Sequence, residues 1–415
     1  MSLTARLERY LYPVFLFGAF QATSFISYFL QNVPVELGMW LLGYAFSLAI
    51  LLFSPREFSD MIVRNSVFLL WPAVAILSSE WSLQPGLSLY HGFQLAMTVL
   101  VALAIAHRLS LPDFLKAVFW ALLAAQILSL GAAFLSLPVA FYKFGEWRGI
   151  FAQKNVLGQQ MTILFYTSLV LFGMGWRRKL TAFAMGAAVF LVVQSQSATS
   201  LLALFVSACL FFALAIARAG AQAVGLYVSA AVASLCAGLF VLALSGIDLV
   251  STTLEGLGKD ATLTGRSVLW DFAQASFSQH PALGIGFKAY WEVPATSSYV
   301  RQVIGQDLWH FHNNYLEVAV GLGLLGLAAF LGVIALVIAR ALAHFARSDS
   351  LAAIWPIVFL MHMLTQTLVE NPLFVNHAPL QLLFVVVGAQ LAASRPARST
   401  IRAIHPVASS QARPA

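Results

Sequence analysis

The chain has 415 residues, of which 60% are hydrophobic and 9% charged, with a mean hydropathy of +0.84 and a formal net charge of +7. Soluble globular domains carry about 25% charged residues, so this composition excludes a soluble enzyme and predicts an all-α integral membrane protein surrounded by membrane lipids. We expect no nucleic-acid partner. The two cysteines, Cys209 and Cys236, lie in apolar stretches and indicate packing rather than redox or metal chemistry.

Apolar stretches long enough to cross a bilayer, about 20 residues each, recur along the whole chain. Residues 1–10 carry Arg6 and Arg9, but no cleavage site follows, so the first stretch is expected to be a retained anchor. The pattern predicts about 12 transmembrane helices with both termini on one side, at residues 10–30, 35–53, 62–77, 88–107, 113–137, 156–175, 180–194, 198–217, 224–245, 314–340, 351–370 and 378–394.

The positive charges indicate the orientation. With the N-terminus in the cytoplasm, 16 of the 23 lysine and arginine residues fall on the cytoplasmic side, as the positive-inside rule requires. The other seven lie in only two outer loops: Lys143, Arg148, Lys154, Lys259, Arg266, Lys288 and Arg301. This clustering predicts an anionic ligand at the outer face. Alternatively, these cations contact lipid headgroups or pair with outer acids such as Glu146 and Glu292.

The spans divide the chain into four parts. Residues 1–245 are expected to hold transmembrane helices 1–9, and residues 314–394 helices 10–12. Between them, residues 246–313 form one large outer loop with amphipathic helices, and residues 395–415 read as a disordered cytoplasmic tail.

Within the outer loop, apolar residues recur at helical spacing after Arg266 until His280-Pro281 ends the pattern. The pattern predicts an amphipathic helix on the membrane surface, with Arg266 at its N-terminus. Unpaired backbone N–H groups at a helix N-terminus favour an anion, and a guanidinium binds phosphate through two parallel hydrogen bonds. Alternatively, Arg266 reaches the lipid headgroups.

Two histidines precede the tenth predicted span. His310 or His312 can exchange a proton near neutral pH, and Glu317 lies one turn inside the span, where an acid indicates function. Alternatively, His310 and His312 are interfacial polar residues, and Glu317 pairs with one of the outer arginines. A metal site at the two histidines needs further ligands that the sequence does not plainly offer, so we expect no metal and no cofactor.

Five short motifs follow one another along the chain. They are Ser79-Glu80-Trp81-Ser82 with Pro85, Arg148-Gly149-Ile150-Phe151 with Lys154-Asn155-Val156-Leu157-Gly158, Gly265-Arg266 with Trp270, His280-Pro281 with Gly284 and Gly286, and His312-Asn313 with Tyr315-Leu316. In this order, from about residue 78 to residue 330, they resemble the family of O-antigen ligases and of O-antigen and exopolysaccharide polymerases.

The resemblance implies a GT-C-like, metal-independent and inverting glycosyltransferase at the periplasmic face of the bacterial inner membrane. Its donor would be a glycan on undecaprenyl diphosphate. Its acceptor would be lipid A-core in a ligase, which we slightly favour, or a second lipid-linked glycan in a polymerase. The alternatives from other classes are a flippase or transporter of lipid-linked sugars and an inert scaffold, which leaves the clustered cations unexplained.

The residues divide into expected roles. Arg148 and Arg266 are expected to bind the diphosphate, with Lys154 as a weaker third cation, and His312 to accept the proton of the attacking hydroxyl. Supporting or substrate-binding roles are expected for Asn155, Asn313, Glu317, Trp270 and Glu80.

Overall fold

The computed structural model describes residues 3–20, 35–142, 145–218, 266–305 and 308–393, and within these ranges the chain forms helices and no strand. The predicted span 224–245 and the tail 395–415 lie outside the described residues. The described α-helices are α1 Leu3–Ala19, α2 Val35–Phe53, α3 Pro55–Arg64, α4 Leu70–Leu77, α5 Pro85–Arg108, α6 Leu111–Phe134, α7 Lys154–Gly173, α8 Arg178–Gln194, α9 Ala198–Arg218, α10 Arg266–Gln279, α11 Ala289–Glu292, α12 Pro294–Ile304, α13 Asn314–Arg347, α14 Trp355–Thr367 and α15 Pro379–Ala393.

Five of the described helices are long and apolar enough to cross a membrane, namely α5, α6, α7, α9 and α13. Helices α2 and α3 together form a sixth candidate, bent by 109° at the break between them. The apolar segments Ser66–Glu80, Leu351–Thr367 and Pro379–Ala392 are shorter than the roughly 20 residues that a straight span needs. An all-helical protein with five or six candidate spans is therefore established, while the count of 12 stays a prediction.

The ends of the described helices, with the loops beside them, gather at two opposite ends of the protein. The start of α7, the loop before α13 and the loop after α14 meet, because Asn155 and His312 both bond to Glu370. At the opposite end, the Arg218 guanidinium donates to three backbone carbonyls just beyond α13, among them that of Ser350 at 2.6 Å. We call the first of these the site end.

Aromatic side chains fill the core between the helices. Trp71 contacts the rings of Phe330, Phe374 and Phe384 at centroid distances of 6.0, 5.7 and 5.7 Å. All four side chains are buried. Because Phe374 belongs to the loop between α14 and α15, this packing attaches that loop to the core close to the site end.

Helix α13 is broken at Gly323, whose backbone has φ 62° and ψ −159°. Only glycine adopts this conformation without strain. The segment 280–288, which we call the inserted loop, lies in the break and replaces the missing helical hydrogen bonds, as an interrupted span requires. The replacing bonds are Ile285 N to Val320 O (3.0 Å), Gly286 N to Gly321 O (2.9 Å), Leu324 N to Pro281 O (2.8 Å) and Leu325 N to Ala282 O (3.2 Å).

The close approach of the two backbones explains the glycine-rich motifs. A Cβ atom on Gly323 would lie 2.4 Å from the carbonyl carbon of Ala282, and one on Gly284 would lie 2.5 Å from the carbonyl carbon of Gly321. Neither backbone can move away without losing the hydrogen bonds that fill the break. The motif after the third predicted span holds the other side of the inserted loop, because Trp81 Nε1 donates to Leu283 O at 2.9 Å.

Helix α10 begins and ends close to where the sequence predicts, but its apolar face lies elsewhere. Leu269 and Ala273 are buried in a cluster with Tyr290, Trp291 and Phe311. The apolar face thus packs on the protein, where the sequence analysis expected it to lie on the membrane surface. Packing against α11 and the start of α13 joins α10, which begins at Arg266, to the segment that carries His310 and His312.

Candidate active site

The Glu370 carboxylate is the centre of the site. It lies in the loop after α14, and three side chains from three other parts of the chain donate to it: His312 Nδ1 to Oε2 at 3.1 Å, Arg266 Nη2 to Oε1 at 3.3 Å, and Asn155 Nδ2 to Oε1 at 3.3 Å. Burial alone would raise the pKa of Glu370. The hydrogen bond from His312 and the charges of His312 and Arg266 outweigh burial and lower that pKa below its usual value. Glu370 therefore carries a negative charge at neutral pH.

The His312 side chain is held from one side and open on the other. Because a carboxylate only accepts hydrogen bonds, the contact with Glu370 places the proton on Nδ1 and leaves the lone pair on Nε2. No hydrogen bond to Nε2 is present among the described residues, and 25% of the side chain is exposed. This is the arrangement of a general base whose tautomer is fixed by a carboxylate.

The turn that carries His312 is unusual. Its φ is +51°, a left-handed backbone conformation that residues other than glycine rarely adopt. Its backbone N–H donates to Nδ1 of His310 at 3.2 Å, and the two rings lie 4.1 Å apart. A strained residue persists where its surroundings hold it.

Buried groups around Phe311 hold that turn. Phe311 is fully buried between Tyr290 and Trp291, and its backbone N–H donates to Oε2 of Glu317 at 3.1 Å. The other carboxylate oxygen of Glu317 accepts from Trp291 Nε1, also at 3.1 Å. Trp270 Nε1 donates to the carbonyl of Phe311 at 3.1 Å. Glu317 and Trp270 thus act on the backbone beside His312.

Asn313 caps helix α13. Its side-chain oxygen accepts from the backbone of Tyr315 and Leu316 at 3.0 and 3.1 Å, and its Nδ2 donates to Leu368 O at 3.2 Å. This is the usual role of asparagine at a helix start. The imidazole of His312 is oriented by Glu370, so Asn313 positions the segment and joins it to the loop that carries Glu370.

His310 is neutral at physiological pH. Burial, followed by the nearby charge of His312, lowers the pKa of His310 to about 4. Its Nδ1 accepts the backbone N–H of His312, which requires an unprotonated nitrogen at that position. His310 therefore supports the turn as an uncharged acceptor.

Arg148 and Lys154 differ in how their charges are balanced. The guanidinium of Arg148 donates to two backbone carbonyls, Val139 O at 2.9 Å and Ala152 O at 3.2 Å, and forms no ion pair within the described residues. The Lys154 ammonium forms an ion pair with Glu146. Arg148 thus offers a positive charge that no described carboxylate neutralises, whereas the charge of Lys154 is already paired.

Glu80 lies apart from these residues. It ends the short turn Ser78–Glu80 and is exposed, and no hydrogen bond or ion pair of the described residues joins it to Glu370. Six of the other eight expected residues either contact Glu370 or hold the His312 turn, namely His312, Arg266, Asn155, Asn313, Trp270 and Glu317. Arg148 lies in the loop before α7, and Lys154 is the first residue of that helix, next to Asn155.

The site also contains a possible metal-binding set that the sequence analysis did not find. His310, His312 and Glu370 each offer a ligand atom, and these atoms lie within 4.8 Å of one another. Three protein ligands and an open position suffice for a catalytic zinc ion. However, the Arg266 guanidinium bonds to the same carboxylate, and its fixed positive charge opposes a dication there.

Sequence reasoning missed Glu370. The signal that can reveal it is a single carboxylate at the end of an apolar stretch, followed by Asn371-Pro372. An acid at the edge of a membrane span is a candidate for a functional residue, because charged groups are costly there. Its partners are 58 and 104 residues away in the chain, so no local spacing connects them.

Comparisons with known proteins match part of the chain that carries these residues. A family model described as O-Antigen ligase (Wzy_C) matches residues 180–331, a range that contains Arg266, His312 and the inserted loop. The chain is 30% identical over 265 residues to the exopolysaccharide production protein ExoQ of Rhizobium meliloti (strain 1021). That match covers 61% of this chain and 60% of the relative's length. The chain is therefore similar to O-antigen ligases over residues 180–331 and to an exopolysaccharide production protein over less than two thirds of that relative's length.

Proposed function

We propose that the chain is a glycosyltransferase that moves a glycan from undecaprenyl diphosphate to a hydroxyl group of an acceptor, without a metal ion. One observation carries the proposal: the imidazole of His312 has its Nδ1 on the Glu370 carboxylate, its Nε2 open, and Arg266 bonded to the same carboxylate. A base with a fixed tautomer beside a fixed cation fits a reaction in which the base takes up one proton and an anion leaves.

The proton moves to His312. As the acceptor oxygen forms its bond to the anomeric carbon, the hydroxyl proton passes to Nε2, and the Nδ1–H bond to Glu370 stabilises the imidazolium that forms. The bond between the anomeric carbon and the diphosphate oxygen breaks, and its electron pair leaves on the diphosphate. Attack from the opposite face would invert the anomeric centre.

Arginine side chains stabilise the leaving group. The diphosphate gains charge as the glycosyl bond breaks, and donors already fixed near that oxygen lower the barrier most. Arg266 uses one N–H on Glu370 and retains four others, and Arg148 has no carboxylate partner within the described residues. Lys154 contributes less because Glu146 neutralises it.

The orientation follows from charge. Arg177, Arg178 and Arg218 lie at the ends of α8 and α9 away from the site, which supports a cytoplasmic location for that end by the positive-inside rule. The site end then faces the periplasm across the bacterial inner membrane, where lipid-linked glycans are presented. Both termini lie in the cytoplasm in this arrangement.

Two acceptors fit this chemistry. A ligase would use lipid A-core, in line with the description of the matching family model. A polymerase would extend a second lipid-linked glycan, and the relative named for exopolysaccharide production favours this choice. The match to the relative, over 265 residues, is longer than the match to the family model, over residues 180–331. Because the longer match is to a protein named for exopolysaccharide production, we propose the polymerase reaction first and the ligase reaction second.

The test is transfer by purified protein in detergent. The donor is an undecaprenyl diphosphate glycan, and lipid A-core and a second lipid-linked glycan are offered together as acceptors. Wild type is expected to extend one of them, and His312→Ala to form no product while donor affinity changes less than about threefold. The product identifies the acceptor.

Two outcomes would overturn parts of the proposal. Loss of donor binding in His312→Ala would place His312 in the donor pocket and not at the attacking hydroxyl. The absence of product with either acceptor, together with movement of donor across the bilayer of proteoliposomes, would make the chain a transporter.

A further inference from the structure

A cavity of about 380 Å³ opens beside the active site. It extends from His310 and Glu370 to the first turn of α2 and the loop before α15. Asn155 and Glu370 belong both to its wall and to the hydrogen-bonded group around His312. A ligand in this cavity therefore reaches the carboxylate that holds the proposed base.

The wall of the cavity is rich in side-chain amides. Each amide offers both hydrogen-bond donors and an acceptor. Six of them line the cavity: Gln153, Asn155, Gln159, Gln366, Asn371 and Asn376. We call this space the amide cavity.

Two of these amides have buried atoms without partners. Gln366 is 2% exposed, and its Nε2 has no hydrogen-bond partner within the described residues. Oδ1 of Asn371 is buried and likewise unpartnered there. Because buried polar groups in folded proteins are almost always hydrogen-bonded, one missing donor and one missing acceptor at the same wall indicate a ligand that supplies both.

The charges in the amide cavity exclude the diphosphate. None of the described lysine or arginine side chains lines it, and its two carboxylates are Glu36 and Glu370. An anionic ligand would be repelled, whereas uncharged hydroxyl groups match amides and carboxylates.

We propose that the amide cavity binds the uncharged sugar residues of a substrate glycan next to the reacting centre, with its amides donating to and accepting from sugar hydroxyls. This inference rests on the proposed function and deepens it, because it separates a sugar subsite from the arginines that bind the diphosphate. The glycan belongs either to the donor or to the acceptor, since both carry hydroxyl-rich sugars.

The first experiment measures binding without catalysis. The glycan is cleaved from its undecaprenyl diphosphate carrier by mild acid, labelled with a fluorophore at its reducing end, and titrated into the purified full-length protein. The variants are Asn371→Ala and Gln159→Ala, whose side chains make no hydrogen bond within the described residues, so that their removal breaks no internal contact. The control is Gln274→Ala, an exposed amide on α10 outside the cavity.

Wild type, Gln274→Ala and His312→Ala are expected to bind the free glycan equally. Asn371→Ala and Gln159→Ala are each expected to weaken binding about tenfold, the effect of one lost hydrogen bond. Equal binding by the cavity variants and wild type would overturn the inference. Displacement of the glycan by inorganic pyrophosphate would also overturn it, because the glycan would then occupy the cation site.

The readout distinguishes this inference from the proposed function. If His312→Ala binds glycan normally but wild type transfers nothing, the sugar subsite stands and the glycosyltransferase proposal fails. If wild type does transfer the glycan, steady-state kinetics identify whether the cavity holds the donor or the acceptor. A rise in the acceptor KM of Asn371→Ala assigns the cavity to the acceptor, and a rise in the donor KM assigns it to the donor. An unchanged KM for both substrates would refute the subsite.

Discussion

Nδ1 of His312 lies 3.1 Å from Oε2 of Glu370, and the two residues are 58 positions apart in the chain. One precedes α13 and the other follows α14, so their contact depends on the packing of two helices. The contact fixes the imidazole tautomer and leaves Nε2 open. The first prediction concerns this pair.

Replacing Glu370 by Gln is expected to lower kcat at least about tenfold, because an amide can present its NH₂ group to Nδ1 and favour the wrong tautomer. The KM of the donor should change little, and the pH dependence of kcat should shift. Glu370→Asp should recover part of the activity. Glu292→Gln, an exposed acid in α11, is the matched control. A normal kcat with Gln at this position would remove Glu370 from the mechanism.

Arg266→Lys is expected to reduce kcat/KM about tenfold or more. Lysine keeps the charge but cannot form the two parallel hydrogen bonds of a guanidinium with a phosphate. Arg301→Lys, at an exposed arginine in α12, should remain near wild type. Steady-state assays with varied donor separate the two variants. Near-normal turnover by Arg266→Lys would argue against a diphosphate role.

Chelators are expected to leave transfer unchanged. The cluster of His310, His312 and Glu370 provides a structural reason to perform this test. The measurement is product formation after dialysis against EDTA, with and without added Zn²⁺, Mg²⁺ or Mn²⁺. Inhibition that a divalent ion reverses would replace the metal-free mechanism by one in which these three side chains hold the ion.

The stability of the protein should depend on pH through His310. Its pKa is about 4 in the folded protein, with burial as the main cause, and about 6.5 when unfolded. Between these values the unfolded chain binds the proton more tightly, so the free energy of unfolding falls as pH decreases from about 6.5 towards 4. At pH 5 this loss is at most about 2 kcal/mol.

The variant His310→Gln keeps an acceptor for the His312 backbone and cannot take up a proton. Thermal unfolding in detergent at pH 7.5 and pH 5 is the measurement. Wild type should lose more stability than the variant on acidification. An equal loss in both proteins would mean that His310 does not titrate in this range.

Gly323→Ala should destabilise the fold by about 1–3 kcal/mol or more, because alanine at φ 62° is strained and its Cβ meets the backbone of Ala282. Gly332→Ala in the same helix is the control, since its Cβ would enter open space. Thermal unfolding should separate the two variants clearly. A Gly323→Ala protein as stable as wild type would contradict the description of the break in α13.

Composition and periodicity were sufficient for much of the fold. Helices α5, α6, α7 and α9 start and end within about three residues of the predicted spans, because apolar length and helix-ending residues are local properties of the chain. Helix α13 begins where predicted but continues to Arg347, past the predicted end at residue 340. The amphipathic helix α10 was predicted for the same reason. Its burial against Phe311 was not, since an apolar face does not specify whether lipid or protein covers it.

The residues of the candidate site divide in the same way. His312, Arg148 and Arg266 could be chosen from residue type, loop position and family resemblance. The partners of these side chains depend on three-dimensional packing. Only the packing of α13 against α14 brings Glu370 to His312 and Arg266, and only the inserted loop explains why helix α13 breaks at Gly323.

The amino-acid sequence alone therefore specified a helical membrane protein with two cation-bearing loops and a histidine before a glycine-rich helix. Tertiary structure decided which side chain or backbone group each cation and each histidine bonds to. Helix formation depends on hydrogen bonds between residues four positions apart, so local sequence can encode it. An ion pair such as Arg266 with Glu370 spans 104 residues, and its formation depends on the packing of every helix between them.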